Sequence, residues 1–307
     1  LDLHVKYRPT ELDAIIGQNE VVRSLNKLLD AKQLPHSILL HGPSGVGKTT
    51  IARILAAEVQ AQIMEIDAAT NTGIDAMREI VEPLQYRGFG EKENKVVILD
   101  ECQSLSKSAW QSLLKIVEEP PKHVYFLFCT TELDKVPKTI QTRSHSYGLR
   151  AVVSNVLEEY LDKVIHIEKF KLPDGVVEVI AREAQGSVRQ ALTYLSACRS
   201  ARSVNEAKSL MSAAGDGAEA IEFYRLLVSG RANWKQCMLV LGKLEGDLSY
   251  ESLRIGVMNY TGAVLANTKN ENQAAPLLAV LEAFQTPFNR STERAAFLLA
   301  LGTCVLG

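Results

Sequence analysis

The run Gly42-Pro43-Ser44-Gly45-Val46-Gly47-Lys48-Thr49 has the residue types and spacing of a phosphate-binding loop. It fits G-x-x-x-x-G-K-[ST], and it follows the apolar run Ser37 to Leu40 and precedes an amphipathic stretch that begins at Thr49. The glycines let backbone N–H groups turn inward around phosphate oxygens at a helix N-terminus, where the dipole and unpaired donors favour an anion. Lys48 adds a point charge for β- and γ-phosphates, and the Thr49 hydroxyl, with Thr50 beside it, stands where a Mg²⁺ shell is completed. A second constellation is Val96-Val97-Ile98-Leu99-Asp100-Glu101, an apolar strand that ends in two carboxylates. Alone, such a pair opens a solvated loop. Beside Lys48 it reads as a metal-holding Asp100 and a general base, Glu101, for an attacking water, because phosphoryl transfer needs charge neutralisation and in-line positioning. Thr130 and Thr131 follow a third apolar run, at a strand end where a hydroxyl faces the ligand crevice and can sense a γ-phosphate.

These residues need a scaffold, and the sequence predicts one. Ser37 to Leu40, Lys95 to Leu99 and Val124 to Phe128 are continuous apolar runs of strand length, as expected of strands buried on both faces. Between them, Thr49 to Gln60 and Ala109 to Glu119 show apolar positions at helical spacing, so the first part is an α/β domain around a parallel sheet. After Arg150 helical periodicity takes over to the C-terminus, broken at Lys171 to Gly175, Gly186, Ala214 to Gly217, Gly246-Asp247 and Thr286-Pro287. The expected organisation is a P-loop domain over 1–150, a small helical lid over 151–214 and an all-helical domain over 215–307.

Composition sets bounds on partners. The 307 residues are 46% hydrophobic and 23% charged, which describes a folded chain with a sizeable core. The longest apolar stretch, Ala295 to Gly307, is shorter than the ~20 residues a membrane span needs. With no apolar leader in its first residues, the chain is expected in the cytoplasm. Five cysteines without a C-x-x-C pair argue against a zinc module and a disulfide framework, and six histidines show no metal-binding spacing. A net charge of −2 leaves no basic module, so any DNA contact is focal or assembled from several copies.

Taken together, Lys6-Tyr7-Arg8-Pro9, Ile16-Gly17-Gln18, Leu34-Pro35-His36, the phosphate loop, Asp100-Glu101-Cys102, Leu114-Lys115 with Glu118-Glu119-Pro120-Pro121, and Thr130-Thr131 through Arg143 resemble the ATPase subunits of sliding-clamp loaders. Within the AAA+ superfamily the chain looks nearest to the γ/τ subunits of bacterial DNA polymerase III, over about residues 3–200. The resemblance implies ATP and Mg²⁺ as cofactors, and a sliding clamp, primer–template DNA and further loader subunits in a ring or spiral as partners. It implies that Thr131 is sensor 1 and that Arg143 is an arginine finger reaching a neighbour's ATP. It further implies that Arg189 is sensor 2 and that Tyr7, Arg8, Pro9 and Ile16 wall the adenine. A forked, permanently charged guanidinium suits the finger role, whereas a lone Arg143 would read as a surface ion pair.

The flanks Thr142 and Ser144 depart from the family's Ser-Arg-Cys. Ala57 to Glu65 bridges the place of the family's four-cysteine zinc module without a cysteine, so the resemblance implies a compact, phage-like version without zinc or the τ extension. Arg87 and Lys107 are expected as phosphate contacts to DNA, against ordinary readings as a solvated loop and a helix start. Trp110, Leu113 and Leu114 suit either the core or a clamp-docking face, and the tail from Gly217 either an oligomerising collar or a self-contained bundle. Rival readings of the whole are another AAA+ DNA motor, such as a Holliday-junction branch-migration ATPase, and a non-hydrolysing assembly or stator subunit.

Overall fold

A computed structural model describes the chain apart from residues 1, 71–72, 74–76, 78–79, 87–92, 213–217, 231, 245–248, 267, 269–270, 290–291 and 307. The expected breaks at Ala214 to Gly217 and at Gly246-Asp247 lie outside the described residues. The chain divides into two compact units, Leu1–Leu157 with Ala184–Gln190, and Glu158–Glu183 with Ala191–Gly307.

The first unit opens with α1 (Leu3–Lys6) and α2 (Asn19–Asp30), followed by β1 (Ser37–His41), α3 (Lys48–Glu58), β2 (Ala61–Asp67), β3 (Asn94–Asp100), α4 (Lys107–Glu118), β4 (Val124–Thr130), α5 (Lys138–Arg143) and β5 (His145–Gly148). The strands form one five-stranded parallel sheet in the order β2-β3-β4-β1-β5. The three strands expected from apolar runs, β1, β3 and β4, occupy its centre. Side chains alternate faces along each strand, so the sheet feeds two separate cores. Ile38, Leu40, Val96, Ile98, Leu127 and Cys129 pack with Ile51 and Leu55 of α3 and Leu25 of α2. Leu39, Val97, Leu99, Phe126 and Phe128 pack on the other face with Ala109, Trp110, Leu113 and Val117 of α4. Trp110 is therefore a core residue, its ring 5.7 Å from that of Phe128. Ser106 caps α4 by accepting the Ala109 N–H at 3.2 Å, which satisfies one of the four unpaired donors of that helix end.

Register carries these layers to the site. His41 stands opposite Thr130, and Asp67 opposite Asp100, so the carboxyl ends of β1, β3 and β4 form one rim. In open parallel sheets ligands bind at that rim.

The second unit is helical among its described residues, with α6 (Ser154–Glu168, whose first residues belong to the first unit), α7 (Val176–Glu183), α8 (Val188–Cys198, likewise begun in the first unit), α9 (Val204–Ser212), α10 (Ala218–Val228), α11 (Trp234–Leu244), α12 (Tyr250–Ala266), α13 (Glu271–Phe284) and α14 (Glu293–Leu306). Its core is aromatic. Phe297 is fully buried, and its ring centroid lies 5.3 Å from Phe284, 5.4 Å from Tyr250 and 5.8 Å from Phe223. No helix among the described residues is long and apolar enough to cross a membrane.

Candidate functional site

The phosphate loop leaves β1 at His41 and enters α3 at Lys48, as its sequence context requires. Gly42, Gly45 and Gly47 all have positive φ (142°, 72° and 110°), a region that side chains disfavour. Space reinforces the demand at two of them. A Cβ on Gly42 would run into the Leu149 carbonyl, and one on Gly45 into the Ser187 hydroxyl. The Gly42 N–H also donates to the Thr130 carbonyl at 3.2 Å, which ties the loop to the end of β4.

Lys48 is buried, and its Nζ donates to the carbonyls of Gly42 (2.9 Å) and Pro43 (2.8 Å). Burial pulls its ammonium below the usual lysine range; Glu101, Cys129 and Asp100 draw it back up, and Arg189 pushes with the burial. Burial, and then the Lys48 charge, likewise lowers His41. The Thr49 hydroxyl donates to Asp100 Oδ2 at 2.7 Å. This joins the two residues read as the Mg²⁺ pair across 51 positions. Val46 is buried, Thr50 is half-buried and Ser44 is exposed at the mouth of the loop.

Glu101 follows Asp100 in a left-handed conformation (φ 48°, ψ 41°), a costly state for a residue with a Cβ. Its Oε2 accepts from Thr131 Oγ1 at 3.3 Å and from Gln103 Nε2 at 2.6 Å. Thr131 is legible in the sequence and Gln103 is not, its one local signal being its place two residues beyond Glu101. Ile15 carries no such signal either. Ile15, rather than Ile16, faces the loop, since a Cβ on Gly47 would lie 3.9 Å from Ile15 Cδ1, while Ile16, Tyr7, Arg8 and Pro9 are half-buried.

The segment Ala184–Gln190 belongs to the first unit and lies on the loop. The Arg189 N–H donates to the Gly45 carbonyl at 3.3 Å, and its Cβ would lie 3.2 Å from a Cβ on Gly45. Arg143 ends α5, away from this cluster in the hydrogen-bond network. Its guanidinium pairs with Glu118 at 2.7 Å and donates to the Thr139 carbonyl at 3.0 Å, and it is 39% exposed. Lys107 is exposed at the first position of α4. Arg87 lies outside the described residues.

The donor set fits a nucleoside triphosphate with Mg²⁺. A loop with positive φ at three glycines opens a helix N-terminus, a buried lysine is bonded, among the described residues, only to neutral carbonyls in that loop, and an Asp–Thr pair stands beside it.

Residues 61–152 match the family model described as DNA polymerase III, delta subunit. The chain is 31% identical over 217 residues to DNA polymerase III subunit tau of Bacillus subtilis, covering 63% of this chain and 38% of that protein. It is 33% identical over 214 residues to DNA polymerase III subunit gamma of Buchnera aphidicola subsp. Acyrthosiphon pisum, covering 62% and 59%. The chain thus spans between about two fifths and three fifths of the length of these relatives. Among solved structures it resembles a Thermotoga maritima RuvB mutant (TM-score 0.55, 21% identity, 82% of this chain and 85% of that one). It also resembles the T. maritima RuvB Holliday junction branch migration motor (TM-score 0.52, 21% identity, 96% and 87%), a likeness of fold. The chain has the α/β fold of these RuvB structures, and its sequence is similar to the gamma and tau subunits of DNA polymerase III.

Proposed function

We propose that the chain is an ATPase subunit of a DNA-replication clamp loader, which uses ATP binding and hydrolysis to open a sliding clamp and place it on primer–template DNA. The observation that supports this best is the 2.7 Å Thr49–Asp100 bond beneath the glycine loop, with Glu101 next in sequence. The similarity to gamma and tau subunits points to the loader as the setting.

In this reading Gly42, Ser44, Gly45, Val46, Gly47 and Thr50 form the phosphate cradle, and Lys48 neutralises the β- and γ-phosphates. Thr49 and Asp100 would hold Mg²⁺, which when bound offsets charge that builds on the phosphate oxygens. Glu101 accepts a proton from the attacking water as its oxygen bonds to the γ-phosphorus and the bond to the bridging oxygen breaks. Thr131 orients that water. Arg189 contacts the nucleotide from the 184–190 segment, while Tyr7, Arg8, Pro9 and Ile16 enclose the base. Arg143 serves a neighbouring subunit's ATP; its partial exposure and single carboxylate partner leave it able to exchange Glu118 for a phosphate. Such a finger contributes about 10³-fold or more to turnover. The domains are a P-loop domain over 1–150, a lid over 151–214 and a collar over 215–307 that joins further subunits. Lys107 and Arg87 contact the DNA backbone, and the complex works at the replication fork in the cytoplasm.

The test is steady-state ATP hydrolysis by the chain with its co-subunits, with and without a clamp and primed DNA. Synergy between clamp and DNA, lost in Arg143→Ala, supports the loader. Stimulation by branched DNA with indifference to the clamp moves the protein to another AAA+ motor, and absence of turnover under all conditions makes it a stator.

A further inference from the structure

The 3-10 turn Cys102–Ser104 carries a half-buried glutamine whose side-chain hydrogen bonds, among the described residues, all end on the rim formed by β3 and β4. Gln103 Oε1 accepts from Thr130 Oγ1 at 2.7 Å, and Nε2 donates to Glu101 Oε2 at 2.6 Å and to Thr131 Oγ1 at 3.0 Å. The amide has only one sensible orientation, because an ionised carboxylate accepts and never donates. One side chain therefore spans the ends of β3 and β4.

We propose that Gln103 is a positioning residue for ATP hydrolysis, which locks the general base Glu101 in register with Thr131 at the γ-phosphate side of the site. This rests on the ATPase reading above. Two features argue for it. Oε2 of Glu101 takes both available donors, Gln103 and Thr131, while Oε1 takes none among the described residues, so one oxygen is anchored and the other is left to receive a proton. Glu101 also sits in the left-handed region past the end of β3, with its N–H donating to Asp100 Oδ1 at 3.1 Å and its carbonyl accepting from the Ser104 N–H at 3.0 Å, and beyond that fixed backbone its carboxylate direction is set by the side-chain ties. Thr130 in turn has a second bond, from the Glu132 N–H at 3.0 Å, which holds the far end of the glutamine still.

The experiment compares the wild-type chain with Gln103→Leu and the near-isosteric Gln103→Glu, which keeps the acceptor for Thr130 and loses the donor for Glu101. Affinity for a fluorescent ATP analogue, single-turnover hydrolysis and thermal midpoint are measured for each. The expected result is an ATP Kd within about twofold of wild type and a hydrolysis rate lower by about tenfold or more in both variants. In a Glu101→Gln background, Gln103→Leu should lower the residual rate by less than about twofold, since the two act as a unit. Wild-type rates in both variants, or a fall in rate that tracks an equal loss of affinity and thermal midpoint, overturns the proposal while leaving the ATPase reading standing. A wild-type chain that neither binds nor hydrolyses ATP, or a Lys48→Ala variant that does both normally, overturns that reading and this one with it.

Discussion

Lys48 and Arg254 are both buried cations, one in each compact unit, and they are neutralised differently. The Arg254 guanidinium meets Glu251 in a forked pair at 2.8 and 2.7 Å, donates to the Phe284 carbonyl at 2.9 Å and lies 5.9 Å from the Phe288 ring centre. Glu251 in turn accepts the Phe288 N–H, so the cluster ties two helices and the loop that follows Phe284 together, and its charge is matched inside the fold. Lys48 has two neutral carbonyls, and among the described residues no carboxylate stands within ion-pair distance. Asp100 and Glu101 act on it only through space. Burial by itself therefore does not mark a functional charge. A charge left without a close counter-ion in a glycine loop at a helix N-terminus is the informative case, because its burial is costly unless something offsets it.

Substitutions can break or sharpen this contrast. The largest effect is expected from Phe297→Ala, which empties the centre of the second unit's aromatic cluster and should cost roughly 3–5 kcal/mol in denaturant unfolding. The protein that remains folded should bind nucleotide normally. Lys48→Ala is expected to do the reverse, weakening ATP affinity by about a hundredfold with little change in thermal midpoint. If the midpoint fell by as much as in Phe297→Ala, Lys48 would be a structural cation like Arg254. Next, Gly45→Ala forces a Cβ into the left-handed region and against Ser187. It should cost roughly 1–2 kcal/mol and reduce nucleotide affinity together, as read by melting with and without ATP.

Smaller still is a pH effect in the second unit. The bond from Arg254 holds the Glu251 carboxyl below the usual carboxylate range. A depressed folded-state pKa gives stability that is present above the unfolded value of 4.5 and lost as pH falls through the folded one. The stability gap between wild type and Glu251→Gln should therefore narrow on acidification from pH 7 to below about 4. Least of all, Glu118→Ala removes an exposed pair and should change stability by less than about 1 kcal/mol. A larger loss would place the Arg143 pair in the fold rather than at a surface open to a neighbour.

How far the sequence reaches is visible in the sheet. β1, β3 and β4 could be read directly because central strands of a parallel sheet are buried on both faces and so are continuously apolar. β2 and β5 could not, because they are its edges. In Ala61–Asp67 only Ala61 is buried, with Met64 and Ile66 half-buried and the rest exposed, and His145–Gly148 is polar and largely exposed. No local pattern separates such a strand from a loop; the hydrogen bonds to β3 and β1 define it. Helices of the second half were legible within a few residues, since an apolar stripe at helical spacing is a property of each segment alone.

The site divides the same way. Residues 42–49 determine their own conformation, because positive φ at three glycines and a helix start are consequences of nearby covalent structure. The sequence alone thus determined a phosphate loop, a carboxylate-ended strand and the α/β class that joins them. What it did not contain is distance. That Gln103 bridges Glu101 to Thr130 and Thr131, that Ile15 rather than Ile16 faces Gly47, and that Arg189 reaches Gly45 were decided by strand register and by the return of residues 184–190 to the first unit. Those contacts join residues up to 144 positions apart, and only the packing of the whole sheet sets which side chains share its rim.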